Sequence, residues 1–406
     1  MHRTGKDYVL FGSSGQFLPQ EEMLEVKKRK NHLVVGIPRE TAFQENRIAL
    51  APEAVAVLVQ NGHRVLIESK AGENAFFPDN EFSEAGGQIV YSAEEVYKAG
   101  LIVKVSPLTD QEIDYLKPGQ VVFSALALPI QKESFFRGLT AKKATAVAFE
   151  LIRDKANSFP LVRSMSEIAG NTAILIAAEY LSDRKYGKGR MFGGFSGITP
   201  TEVVIIGAGT VGEFSVRAAM GLGAMVKVFD NSIYKLRRLQ GDLSSRIFTS
   251  IIQPKVLLKA LRTADVVIGA LHSPWGRTPI VVTEEMVSQM KYGSVIVDVS
   301  IDQGGCVETS ELTNHNEPVF RKLGITHYCV PNIASRVPHT ASYAFSNFFA
   351  PVLLSIGEYG GFENMLKRDP GVRQGVYMFN GNLTNQYIGE YFNIPYKDID
   401  LLMTTF

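Results

Sequence analysis

The sequence predicts an α/β protein of two doubly wound domains, one a Rossmann dinucleotide-binding domain, with a cleft between them. Three observations predict it. Short, almost wholly apolar runs alternate with stretches of helical period, the runs fall into two series, and the second series opens on a glycine-rich turn. Runs this apolar, without strict polar alternation, suit strands covered on both faces, as in a parallel sheet flanked by helices.

The first series is LVVGI at 33–37, RVLIE at 64–68, LIVKV at 101–105, VVFSALAL at 121–128 and ATAVAF at 144–149. The second is VVIIG at 203–207, AMVKVFD at 224–230, DVVIGAL at 265–271, SVIVDVS at 294–300 and THYCVPN at 326–332. Between them, SMSEIAGNTAILIAAEYL at 164–181 has apolar residues at helical spacing and is expected to carry the chain from one domain to the other. A second long helix is expected over 341–359, where Phe345, Phe348, Phe349, Val352, Leu353 and Ile356 recur three and four apart. The expected division is therefore a substrate (catalytic) domain of residues 1–164 plus 340–406 and a Rossmann domain of residues 165–339. Residues 1–30 end in the charged run EEMLEVKKRK and read as an N-terminal extension.

Lysine and arginine number 42 against 41 acidic residues, and no basic block gives an electrostatic footprint for nucleic acid or an anionic membrane. Two cysteines, Cys306 and Cys329, are too few for a disulfide framework and are expected as buried thiols of a cytoplasmic protein. MHRTGKDYVLFGSSGQ lacks the apolar core and small-residue cleavage site of a secretion signal. The uncharged stretch 340–357 contains Ser342, Ser346, Asn347, Pro351 and Ser355, which fits a helix with one apolar stripe better than a membrane span.

The sharpest local signal is Gly207-Ala208-Gly209-Thr210-Val211-Gly212, directly after VVII and before a helical stretch. In that setting Gly207 makes the tight turn, Gly209 lets a pyrophosphate approach the backbone, and Gly212 permits close packing of the helix. The helix N-terminus adds N–H groups and positive dipole for the phosphates. Asp230 ends the next run, where a carboxylate accepts from an adenosine ribose 2′-OH and repels a 2′-phosphate. NAD is the cofactor expected, and no metal is.

In the first domain the loop after LVVGI carries Arg39, Glu45 and Arg47. An arginine fixed there suits bidentate capture of a carboxylate, and it also suits a solvated loop position. Asp302, in VDVSIDQGG, ends a strand on acid and glycine, where ligands of open α/β sheets bind, and it could equally cap a helix.

Taken together, GIPRE, ENRIALAP, NGHRVLIESKAGENAFFPDNEFSEAGG, MSEIAG, IGAGTVG, VIVDVSIDQGG and THYCVPNIASRVPHTASYAFSN resemble the signature segments of alanine dehydrogenase, in their usual order, and its sister, the NAD-binding subunit of transhydrogenase. The resemblance spans about residues 33–396. It implies a cytoplasmic homo-oligomer, dimer or hexamer, that oxidises L-alanine to pyruvate and ammonia with NAD, and hence a small amino acid or 2-oxo acid as partner. It also implies a carboxylate ligand in Arg47, a catalytic aspartate in Asp302, and cofactor contacts in Ser166, Asp230 and Asn332.

The chain departs from that pattern at two places. The family's alanine dehydrogenases carry a catalytic lysine where this chain reads Ser106, and a catalytic histidine where it reads Ala127. Transhydrogenase subunits lack both as well. Two residues offer replacements: Lys104, two positions before Ser106 and so on the same face of a strand, and His272, in a loop after a strand of the second series, where a surface position is the alternative. The expected function is an alanine dehydrogenase-like oxidoreductase of reduced or altered activity. The alternatives are a non-catalytic NAD(H)-binding protein and a soluble relative of the transhydrogenase subunit.

Overall fold

Every apolar run of both series forms a strand. The structure is a computed structural model and describes residues 32–243, 245–273 and 276–404; the extension expected at 1–30 lies outside the described residues. The first sheet's opening strands are β1 (Val34–Ile37), β2 (Arg64–Glu68), β3 (Gln88–Val90), β4 (Leu101–Val103), β5 (Val121–Ser124) and β6 (Thr145–Ala148), of which β3 falls outside the first series. The second sheet has β7 (Glu202–Ile206), β8 (Met225–Phe229), β9 (Phe248–Ser250), β10 (Val266–Gly269), β11 (Val295–Asp298), β12 (Val319–Lys322) and β13 (Ile325–Tyr328), of which β9 and β12 fall outside the second series. The chain then returns to the first sheet with β14 (Val376–Phe379) and β15 (Asn382–Leu383).

The same winding occurs twice. One sheet runs β15-β14-β6-β5-β4-β1-β2-β3 and the other β12-β13-β11-β10-β7-β8-β9. In each, the first strand pairs in parallel with the second on one side and the fourth on the other, so the order reverses beside β1 and again beside β7. Antiparallel pairing is confined to the edges, at β14, β15 and β12. Ligands of doubly wound sheets bind at such reversals, beyond the carboxyl ends of the strands. This fold therefore has two such places.

Strands β5, β6, β10, β11 and β13 are buried at every residue, and separate apolar clusters cover the two faces of each sheet, which is the burial that the unalternated runs required. Two long helices link the sheets, Pro160–Ser182 and Pro338–Glu358. The second covers the apolar expectation at 341–359, and its serines are put to use. Ser342 Oγ accepts the Ile48 N–H (2.9 Å) and Ser346 Oγ the Ala51 N–H (2.7 Å), both in buried surroundings.

Several runs are shorter than their apolar length suggested. VVFSALAL stops as a strand at Ser124, Ala127 is left-handed (φ 46°), and Leu128–Ile130 makes one tight helical turn. SVIVDVS stops at Asp298 and turns into Val299–Gln303. The cause is common to both. A strand ends where the backbone leaves the sheet for the following turn, whatever the hydrophobicity of the next residues.

Candidate active site

The glycine turn sits at the reversal beside β7. Gly207 has φ 118°, and a Cβ there would stand 2.3 Å from the Ala270 carbonyl oxygen; a Cβ on Gly212 would stand 1.9 Å from the Gly207 carbonyl oxygen. Both must be glycine for the helix Thr210–Gly221 to start so close to its strand. At Gly209 the opposite holds: a Cβ would meet nothing within 4 Å, so bare backbone faces open space. Asp230 closes the turn from behind, its carboxylate accepting from Ala208 N–H (2.8 Å) and Ser232 N–H (2.7 Å). A carboxylate has about four acceptor positions, so two stay free for ribose hydroxyls. Open space over Gly209, a helix N-terminus and a carboxylate with spare lone pairs fit a dinucleotide.

Arg47 stands in the loop after β1, at the other reversal. Its Nε donates to Glu45 Oε1 (2.7 Å) and its Nη2 to Glu45 Oε2 (2.6 Å), while the guanidinium lies over the Phe345 ring, 5.3 Å from its centre. The pair is nearly buried, with side-chain exposures of 10% and 6%, so Arg47 is not a solvated loop arginine.

Asp302 lies on the turn after β11. Asp298 builds that turn: its carboxylate accepts from the Ser300, Cys306 and Val307 N–H groups and from the Ser310 hydroxyl, and burial pushes its pKa up against them. Asp302 faces solvent yet is enclosed by protein on most sides. This enclosure raises its pKa, opposed by the hydrogen bond from Asn332 N–H to Oδ1 (2.8 Å) and then by the charge of Arg47. Asn332 is left-handed (φ 54°) and also donates from Nδ2 to Glu45 Oε2 (3.1 Å).

One cavity of about 560 Å³ gathers these groups. Gly209, Thr210, Val211, Ser166, Arg47, His272, Asp302 and Asn332 all line it. Gly207, Ala208, Gly212 and Asp230 do not; they build the turn on which Gly209 stands. Lys104 does not either. It is 1% exposed, and its Nζ donates to both oxygens of Glu112 (2.6 and 2.7 Å). Sequence reasoning missed the apolar wall of Phe149, Phe159, Leu161, Val162 and Met165, together with Lys235 and Gln303. Of these only Gln303 was signalled, by its place in IDQGG. Its amide accepts the Ser273 N–H (3.0 Å) and donates to the Ser273 carbonyl (2.9 Å), tying the His272 loop to the Asp302 turn.

Comparison with known proteins gives this geometry a family. The profile for "Alanine dehydrogenase/PNT, N-terminal domain" matches residues 36–169, and that for the C-terminal domain matches residues 173–386. The chain belongs to the alanine dehydrogenase/PNT family. An alanine dehydrogenase of Staphylococcus saprophyticus is 35% identical over 369 residues, 91% of this chain and 99% of that protein. The "Alanine dehydrogenase 2" of Staphylococcus aureus is 35% identical over 367 residues, 90% of this chain and 98% of that one. Among solved structures, an L-alanine dehydrogenase superposes with a TM-score of 0.83 at 34% identity, covering 89% of this chain and 99% of its own. A transhydrogenase from Sinorhizobium meliloti gives 0.72 at 25% identity, covering 87% and 99%.

Around Ser106 and Ala127, where the resemblance expects larger side chains, glutamate carboxylates accept the backbone N–H groups. Glu40 accepts the N–H groups of both Val105 and Ser106, and burial pushes its pKa up to about 7 despite Lys104 nearby. Glu150 likewise accepts from Leu126 N–H (2.7 Å) and Ala127 N–H (3.2 Å). Neither Ser106 nor Ala127 lines the cavity.

Proposed function

We propose that this chain is an NAD-dependent oxidoreductase of alanine dehydrogenase type, acting on a small amino acid and its 2-oxo acid, with activity on alanine that is reduced or altered. The observation that carries the reading is the convergence of the glycine turn, Arg47 and Asp302 on one cavity. In this reading Asp230 and Asn332 hold the cofactor, Ser166 contacts it, and the outer edge of Arg47 takes the substrate carboxylate. A bound nicotinamide would accept the hydride from the substrate α-carbon. Asp302 exchanges the amine proton, with His272 in the same cavity as the second proton carrier. Lys104, held by Glu112 away from the cavity, serves as an anchor for its loop. A cytoplasmic homo-oligomer, dimer or hexamer, belongs to the same reading.

A second reading, a non-catalytic NAD(H)-binding protein, draws on Ser106 and Ala127, since neither a hydroxyl nor a methyl supplies proton exchange near neutral pH. One experiment separates the two. NADH binding is titrated by fluorescence while NAD reduction is followed across a panel of amino acids. Binding with turnover of a small amino acid supports the enzyme; tight binding with no turnover on any of them supports the second reading.

A further inference from the structure

Residues 44–47 form a strap between the two sheets. Gln44 Oε1 accepts from His315 N–H (2.7 Å), and Gln44 carbonyl oxygen accepts from Ser335 Oγ (2.8 Å). Asn46 donates its N–H to Ser335 Oγ (3.0 Å) and its Nδ2 to the Ser335 carbonyl (3.3 Å), while Glu45 accepts from Asn332. The partners all follow β11, on the far sheet's side of the cavity. Three consecutive residues after β1, Gln44 to Asn46, are thus registered against the segment that carries the cofactor and proton-transfer candidates.

Glu45 is the link in that strap that reaches Arg47. Its carboxylate takes the guanidinium side-on, through Nε and one Nη2 hydrogen. Of five N–H donors, three stay uncommitted to it. They form the outer edge, where Nη1 meets Met165 Sδ at 3.5 Å, a weak acceptor on the cavity wall. A planar fork held by its inner edge and stacked on Phe345 is preorganised to receive a second carboxylate on its outer edge.

We infer that Glu45 is a positioning residue that aims Arg47 at the substrate carboxylate, and that its bond to Asn332 makes this aim depend on the strap being docked across the cavity. The inference rests on the reading of Arg47 as the carboxylate ligand. It opposes a simpler expectation. A carboxylate beside a cation should compete with substrate, so removing Glu45 should tighten binding; if Glu45 positions Arg47, removal must weaken it.

The test is calorimetric titration of pyruvate into the complex of the full chain with NADH, alongside KM and kcat where turnover is measurable. Glu45→Ala is expected to weaken pyruvate binding about 10-fold, with kcat less affected and NADH affinity within about 2-fold of the parent. Glu45→Gln keeps one acceptor and should fall between, and it carries the test if the alanine variant does not fold. In an Arg47→Ala background the Glu45 substitution should add nothing, because a positioning residue acts only through its partner. Unchanged or tighter pyruvate binding in both Glu45 variants, or an additive loss in the double variant, overturns the inference while leaving Arg47 as ligand. If Arg47→Ala itself binds pyruvate as the parent does, both fall.

Discussion

Asp230 offers the prediction whose size the structure fixes best. Its place just past the end of β8 marks it as a selector between NAD and NADP in the proposed reading, and its carboxylate also accepts from Ala208 N–H (2.8 Å) and Ser232 N–H (2.7 Å) at 5% exposure. Replacing it by alanine removes two charge-assisted hydrogen bonds and leaves two backbone donors in a buried setting. At ~1.5–3 kcal/mol for each bond to a charged group, the loss is about 3–6 kcal/mol. For a domain of this size ~1 kcal/mol moves Tm by ~2–4 °C, so Asp230→Ala should melt roughly 10 °C lower. The cofactor arm follows: the parent should bind NADH more tightly than NADPH, because a 2′-phosphate would face the carboxylate, and the variant should lose most of that gap. Calorimetric melting gives the first quantity and fluorescence titration of both dinucleotides the second. A variant that melts within 2 °C of the parent would falsify the anchoring role. An unchanged preference between NADH and NADPH would remove Asp230 from cofactor selection.

The other predictions are as follows. Ser106→Lys with Ala127→His should raise alanine turnover by ~10²–10⁴-fold, and neither change alone should suffice; Glu40 is placed to pair with the lysine, and the left-handed backbone at 127 suits histidine better than alanine. No gain in the double variant would mean that the missing pair is not what limits turnover. His272→Ala should abolish whatever turnover the unaltered chain shows while sparing NADH affinity, and retained turnover removes it as the second proton carrier. Buried His327, whose Nε2 lies 2.8 Å from Thr309 Oγ1, has its pKa lowered by burial from 6.5 to about 4. A lowered imidazole stabilises the fold above 6.5, and that contribution is lost as pH falls from 6.5 to 4, roughly 3 kcal/mol in all; urea melts of His327→Phe should show a correspondingly smaller loss across that window. We also propose that the domains divide near residues 164 and 340, so calorimetry should resolve two transitions, with NADH raising that of 165–339 more. A single transition shifting as one would speak against the division.

The strand inventory was legible because burial on both faces leaves a plain mark, an unbroken apolar run, at β1, β2, β4 to β8, β10, β11 and β13. The strands that escaped are mostly edges. Gln88–Val90, Phe248–Ser250 and Val319–Lys322 are short and partly exposed, so their composition resembles that of loops. Within the site, the glycine turn was legible because its glycines answer to steric contacts of about 2 Å that no other residue satisfies. The apolar wall was not, because Phe149, Phe159 and Met165 look like any core residue until the fold brings them into one cavity with Arg47. Lys104 misled for a related reason. Its alternation with Ser106 is a true statement about β geometry, but the strand ends at Val103, and Glu112, eight residues on, captures the amine.

In the proposed reading the two reversals divide the labour of the site. The one beside β1 supplies recognition: Arg47, braced by Glu45 and Phe345, is a permanent cation that cannot exchange protons at neutral pH. Ser106 and Ala127, the places on that side where the family resemblance expects a catalytic lysine and histidine, are filled by side chains that can neither carry a positive charge nor exchange a proton near neutral pH. Of the side chains lining the cavity, the carboxylate and imidazole available for proton exchange, Asp302 and His272, both follow strands of the second sheet. Gln303 ties their segments through two hydrogen bonds to Ser273. If this chain turns over an amino acid, its acid–base chemistry has moved to the cofactor side of the cavity. The strap at 44–47 then has a clear task, to bring the carboxylate fork into register with groups that belong to the opposite sheet.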